Sequence, residues 1–284
     1  MKLAREPVRA MRNLILTGAL ALLAACASVP AERTLTAAPV IAAERAFAAR
    51  GAEIGWIPAF REYTAPDGMV GNFENAPQSL AATPDDGSRN LFWWPAYAGI
   101  ARSGDLGFTT GPFSVDDAHT PAGQYFTVWR RQPDGSWKWI WDGGPGGRPD
   151  PLNHGIDAAE LPTLPIAARG VGSAAAEQVR AIEEGHATAG GLASYVAADA
   201  QVFRATRPLA SPVAENFVFP SGEVAYTIRR VEASEAGDLV FTLGEARWTR
   251  EGQERRGQYA RIWQYRPEGW RIVYDQLVGG RPPG

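Results

Sequence analysis

Along the chain, apolar side chains fall first into a helical rhythm and then into alternation, and this order occurs twice. Val40, Ile41, Phe47, Ala48, Gly51 and Ile54 recur at spacings of three and four, which puts them on one face of an amphipathic helix. Ala175, Ala176, Val179, Ile182 and His186 form a second such stripe. A shorter helix is predicted after each: one near Pro58, because proline suits a first helical turn, and one near Leu192, after Gly190-Gly191. The remainder reads as strands. Residues 125–131 and 137–141 alternate, and Pro133-Asp134-Gly135-Ser136 and Pro267-Glu268-Gly269 are hairpin turns. Strict alternation on the last strands puts Lys138, Ile140 and Asp142 opposite Trp137, Trp139 and Trp141, and Arg271, Val273 and Asp275 opposite Trp270, Ile272 and Tyr274. Helices followed by antiparallel strands predict an α+β fold in each half.

The two halves also match residue by residue. Gly104-Asp105-Leu106-Gly107-Phe108-Thr109, Gly123-Gln124-Tyr125, Trp129, Pro133-Asp134-Gly135 and Asp142 have counterparts in Gly237-Asp238-Leu239-Val240-Phe241-Thr242, Gly257-Gln258-Tyr259, Trp263, Pro267-Glu268-Gly269 and Asp275. The offset stays constant to within one residue, which predicts tandem duplication of a whole domain rather than a solenoid of short units. The first domain is expected over 39–147 and the second over 173–284. Residues 148–172, rich in Pro, Ala and Gly and without periodicity, are read as an extended linker.

Composition narrows the function classes. The formal net charge is -3 over 284 residues with the signs mixed, so nucleic-acid binding has no electrostatic footprint. Lysine occurs only at Lys2 and Lys138, which disfavours a Schiff-base mechanism. The single cysteine, Cys26, closes Leu23-Ala24-Ala25-Cys26 after a short apolar run that follows Arg12. That run is too short to span a bilayer and reads as a cleavable signal. The tetrapeptide resembles a bacterial lipoprotein signal, which implies lipidation of Cys26, a signal peptide over 1–26 and a flexible tether over 27–38. With Ala27 next, it also implies an outer-membrane lipoprotein facing the periplasm, attached to the membrane through its lipid. Met11 is an alternative start to Met1. With its one thiol assigned to an anchor, the chain has no disulfide framework and no cysteine chemistry.

The Ala-Glu helix, Phe60-x-x-Tyr63-x-x-x-Asp67, the strand Gly104 to Gly111 and the hairpin Trp129 to Trp137 resemble nuclear-transport-factor-2-like domains, and among them the bacterial SnoaL-like domains. The second half departs at Val240 and Leu243, where the first has Gly107 and Thr110. The resemblance implies two cones, each a curved antiparallel sheet wrapped against helices around an apolar pocket. Members of that superfamily act as isomerases, cyclases, dehydratases, binders and association modules, so the fold alone assigns no activity.

Catalysis in a cone needs a buried acid or base with a displaced pKa. No acid-base constellation known in the superfamily recurs intact. His186, on the apolar face of its helix, is one catalytic candidate, and Asp142 and Asp275, which recur at the same place, are the others. The sequence leaves open which sheet face lines the cone. Asp67, Asp199, Asp105 and Asp238 read as turn formers. His119 is placed in an exposed strand connection and His154 in the linker; without paired spacing they make no metal site, and no cofactor is expected. Seven of the ten tryptophans fall in the first half, a surplus that suggests an aromatic-lined pocket or a contact surface between the domains. The ligand-binding candidates are Trp93, Trp94, Tyr125, Trp129, Trp139, Trp141, Tyr259 and Trp263. Non-catalytic binding of a small apolar or aromatic molecule is the leading expectation. The alternatives are a lyase or isomerase acting in one domain, and a structural module whose sheets pair with each other or in a homodimer.

Overall fold

Two sheets, of seven and five strands, organise the chain, seen in a computed structural model that describes residues 35–71, 73–144, 155, 158–204, 207 and 211–281. Cys26, both candidate starts, the tether up to residue 34, His154 and the first part of the linker lie outside the described residues. In the first half, α1 (Ala38–Ile54) and α2 (Trp56–Tyr63) are followed by β1 (Thr64–Val70), β2 (Glu74–Asn75), α3 (Ala76–Ala82), β3 (Phe92–Trp93), β4 (Tyr97–Ile100), β5 (Leu106–Ser114), β6 (Pro121–Arg131) and β7 (Trp137–Gly143). The second half comprises α4 (Ala175–Gly185), α5 (Ala189–Leu192), β8 (Val196–Arg204), α6 (Val213–Phe217), β9 (Ala225–Ala233), β10 (Leu239–Arg250), β11 (Gln253–Arg266) and β12 (Gly269–Arg281). The predicted α+β class holds in both halves.

The first sheet runs β2-β1-β7-β6-β5-β3, with β4 also on β5, and the second runs β8-β12-β11-β10-β9. One strand in each departs from the antiparallel expectation: β1 lies parallel to β7, and β8 parallel to β12. Asp67 and Asp199 therefore sit on strands rather than in turns, and each pairs with arginine. Asp199 holds Arg266 through two bonds of 2.7 and 2.9 Å, and Asp67 contacts both Arg130 and Arg230.

A β-bulge on the last strand of each sheet overrides the strict alternation read from sequence. Trp129 opposes Trp139 and Val128 opposes Trp141, so Ile140 is the extra residue; Trp263 opposes Ile272 and Ile262 opposes Tyr274, so Val273 is its counterpart. An inserted residue moves everything after it to the other face. Asp142 thus shares the helix-facing side of its sheet with Trp139, and Trp141 joins the opposite side.

That opposite side is where the sheets meet. Phe126 stacks on Tyr274 at 4.0 Å and 18°, Phe108 and Phe203 flank the same tyrosine, and one continuous core of buried residues runs from Phe108 and Val128 to Phe241 and Ile262. At the edge, Arg230 of β9 reaches Asp67 of β1 at 2.8 Å, and Arg130 of β6 reaches Glu232 of β9 at 2.7 Å. The two Gly-Asp turns brace each other: Asp105 accepts the Glu235 N–H at 2.9 Å and Asp238 the Arg102 N–H at 3.0 Å. The described part of the linker is held in place too, since Leu164 is buried and its N–H bonds the Ala98 carbonyl at 2.8 Å.

Candidate functional site

The site begins with a carboxylate on the wrong stripe of a helix. Val40, Glu44, Phe47 and Gly51 form the buried face of α1, so a charged residue sits where the period demands an apolar one. Its burial is compensated by donors from the sheet. Trp93 Nε1 donates at 2.7 Å, Trp129 Nε1 at 2.9 Å, and the Thr109 hydroxyl donates as well. Gly51 makes this arrangement fit, because a Cβ there would lie 2.7 Å from the Trp93 ring. Burial raises the Glu44 pKa, and the bonds from Thr109, Trp129 and Trp93 oppose the rise.

Beside this centre opens a cavity of about 210 Å³, lined by Phe60, Leu91, Trp93, Phe113, Gln124, Tyr125, Asp142, Gly143 and Gly144. Asp142, 9% exposed, accepts from the Thr127 hydroxyl at 2.8 Å and forms no ion pair among the described residues. Burial, followed by the charge of Glu44, pushes its pKa up to about 8, and the Thr127 bond only partly offsets them. Tyr125 is 7% exposed and its hydroxyl has no hydrogen-bond partner among the described residues; the Thr109 hydroxyl nearby is committed to Glu44. Burial, then Glu44, also holds that phenol well above its ordinary pKa, so it stays protonated. The cavity therefore joins an aromatic wall to a buried acid poised near neutrality and an unsatisfied hydroxyl.

The second cone repeats this constellation with one substitution. Glu183 of α4 accepts from Thr242 at 2.7 Å, Trp263 Nε1 at 2.8 Å and Tyr259 at 2.5 Å, as Glu44 accepts from Thr109 and Trp129. Where β6 has Thr127 opposite Asp142, β11 has Arg261 opposite Asp275. Arg261 is 0% exposed. It donates to Asp275 at 3.2 Å, lies 3.4 Å from Glu183, and its guanidinium rests 4.2 Å from the ring centroids of both Tyr226 and Tyr259. Burial opposes its charge, but Asp275 and Glu183 outweigh burial and raise its pKa. Arg204 approaches the other oxygen of Asp275 at 3.6 Å. The centre of this cone is filled by its own cation.

Of the residues singled out in the sequence, the structure brings Trp93, Tyr125 and Asp142 to the cavity. Trp129 binds Glu44 beneath it, and Trp139 packs against Phe60. Trp141 faces the second sheet, while Trp94 lies near His119 and does not line the cavity. Tyr259 and Trp263 are committed to Glu183, and Asp275 to arginines. His186 is exposed, with its Nε2 3.3 Å from the Tyr195 hydroxyl. It caps a helix that ends at Gly185, and its non-helical backbone, φ -126° and ψ 34°, takes it off the stripe that regular spacing predicts. The sequence reading missed Glu44, Glu183 and Arg261, and with them a repeated pair of buried carboxylates. The readable signal was a Glu four residues after a valine on both apolar stripes, Val40 to Glu44 and Val179 to Glu183. Among the described residues no group of three or more His, Cys, Asp and Glu could hold a metal ion.

No family model matches the chain, and no curated protein matches it. Solved structures similar to it include an NTF2-like protein of unknown function from Pseudomonas putida KT2440, 16% identical over 38% of this chain and 89% of that one, with a TM-score of 0.29. Another, from Prochlorococcus sp. NATL2A, is 17% identical over 38% of this chain and 94% of its own, with a TM-score of 0.29. A third, from Shewanella oneidensis MR-1, is 14% identical over 36% and 89%, with a TM-score of 0.25. At these values the description of the fold rests on the strand orders and registers above.

Proposed function

We propose that this is a two-domain protein of the NTF2-like kind whose first cone binds one small, largely apolar molecule, while the second serves as a structural partner. The observation that carries this reading is the cavity of about 210 Å³, bounded by Phe60, Leu91, Trp93 and Phe113, with the unsatisfied Tyr125 hydroxyl at its wall. An apolar cavity of about 150 Å³ is large enough for benzene, so this one suits a single ring with a small polar group. The second cone supports the division of labour, because there Arg261, at the register position of Thr127, is buried against Asp275 and Glu183. Attachment through a lipid on Cys26, export to the periplasm, and an origin of the two halves by duplication belong to the same proposal, resting on Leu23-Ala24-Ala25-Cys26 and on the internal repeat.

Ligand-observed NMR with a set of monocyclic probes, including toluene, indole and phenol, tests the binding reading. At least one probe should bind the wild type and be lost from Leu91→Trp, which fills the cavity. Equal signals from both proteins would refute it. A second reading, acid-base catalysis of a lyase or isomerase type in the same cone, is favoured by one observation, the Asp142 pKa of about 8. It requires turnover to collapse in Asp142→Asn while probe binding persists.

A further inference from the structure

The second cone shows what the first cone lacks. In the second, two buried carboxylates, Glu183 and Asp275, and the ring of Tyr259 surround the guanidinium of Arg261. In the first, Glu44, Asp142 and Tyr125 hold the equivalent strand and helix positions, but Thr127 stands where the arginine would begin. Neither Glu44 nor Asp142 forms an ion pair among the described residues, and Asp142 and Tyr125 border an open cavity. We infer that the first cone takes a ligand with a cationic head, an amidinium, guanidinium or ammonium group on a single ring or short apolar body, and that this head sits against Asp142 and Tyr125 as the Arg261 guanidinium sits against Asp275 and Tyr259. The inference rests on the reading of this cone as a small-molecule site and adds the charge of its ligand.

A buried carboxylate without a counter-charge is costly, and a desolvated cation beside it offsets much of that cost. A cation over the face of a tyrosine gains a further contribution, larger where water is excluded. Here the ring belongs to Tyr125, and Phe60 and Trp93 wall the same space. An anionic ligand would meet no counter-charge there and would oppose the ionisation of Asp142, so the site discriminates by sign.

Binding of such a cation depends on pH. The titratable groups facing Asp142 are Glu44 from α1 and Tyr125 from β6; α2 presents Phe60, β3 Trp93 and β5 Phe113 and Thr109. Asp142 holds a proton below about pH 8, and a cation must displace it. Affinity should therefore rise about tenfold per pH unit below that value and level off above it, about a hundredfold in all between about pH 6 and about pH 9.

The test uses three ligands of one shape and different charge, benzamidine, benzamide and benzoate, measured by isothermal titration calorimetry in buffers of different ionisation enthalpy. Benzamidine should bind best, release a proton on binding below pH 8, and lose both its advantage and its pH dependence in Asp142→Asn. Thr127→Arg, which gives the first cone its own guanidinium, should abolish benzamidine binding. Benzamide binding as tightly as benzamidine at every pH, or benzamidine binding unchanged in Asp142→Asn, would overturn the inference and leave the small-molecule site standing. A positive toluene or indole signal with no benzamidine binding overturns it in the same way. If no probe of either set binds, the site itself falls and this inference with it.

Discussion

Asp142→Asn should make the protein more stable above neutral pH, although it removes a hydrogen-bonded acid from the core. The acid's pKa is about 8 in the folded chain against an ordinary 3.8, because burial and then the charge of Glu44 disfavour its ionised form. A group whose folded pKa is raised contributes its full stabilisation below the unfolded value and loses it as pH climbs through the folded one. Each unit of displacement corresponds to about 1.4 kcal/mol, so between about pH 5 and about pH 8 the wild type should lose about 4 kcal/mol relative to the asparagine variant. Asparagine keeps the volume and an acceptor oxygen for the Thr127 hydroxyl, so packing changes little. Glu44 titrates in both proteins, and its pH dependence largely cancels in the difference. Urea unfolding at a series of pH values measures that difference directly. Stability curves that run parallel, within about 1 kcal/mol from pH 5 to pH 8, would show instead that Asp142 ionises like a surface acid.

Arg261→Met should cost about 3–5 kcal/mol, because Asp275 and Glu183 would stay buried without their shared cation, and adding Asp275→Asn should recover part of the loss; urea midpoints decide it. Phe126→Ala removes the ring stacked on Tyr274 and should destabilise the chain by about 3–5 kcal/mol, with both sheets unfolding in one transition when followed by hydrogen exchange. Tyr125→Phe deletes a hydroxyl without a hydrogen-bond partner among the described residues, so its melting temperature should stay near that of the wild type while phenol binds more weakly in the NMR assay. Asp67→Ala breaks contacts to Arg130 and Arg230 that are partly open to water, and should cost no more than about 1 kcal/mol in thermal unfolding.

Local chemistry was legible wherever the chain's own period determines the outcome. The stripe from Val40 to Ile54 became α1, the Gly135 and Gly269 turns became hairpins, and residues 125–131 became the second half of β6. Asp142 and Tyr125 could be picked out because they recur in both halves. Glu44 was hidden because a glutamate in a helix reads as solvent-facing until its partners are known, and those partners, Trp93, Thr109 and Trp129, lie far along the sequence. His186 failed for the opposite reason, since extrapolating the stripe carried it one residue past the end of its helix.

The α+β pattern, its repetition and the residue types available to each half follow from the amino-acid order alone, because helix and strand periods and turn chemistry are properties of neighbouring residues. Packing in three dimensions sets which side of each sheet its last residues face and which carboxylate has no cation beside it among the described residues. The first depends on single-residue bulges at Ile140 and Val273, which arise from pairing between strands and leave no mark on the local period. The second depends on desolvation, a property of everything that surrounds a group. Asp142 and Asp275 are equivalent residues in the repeat, and Thr127 packs beside one, at an open cavity, while Arg261 packs beside the other as its buried cation.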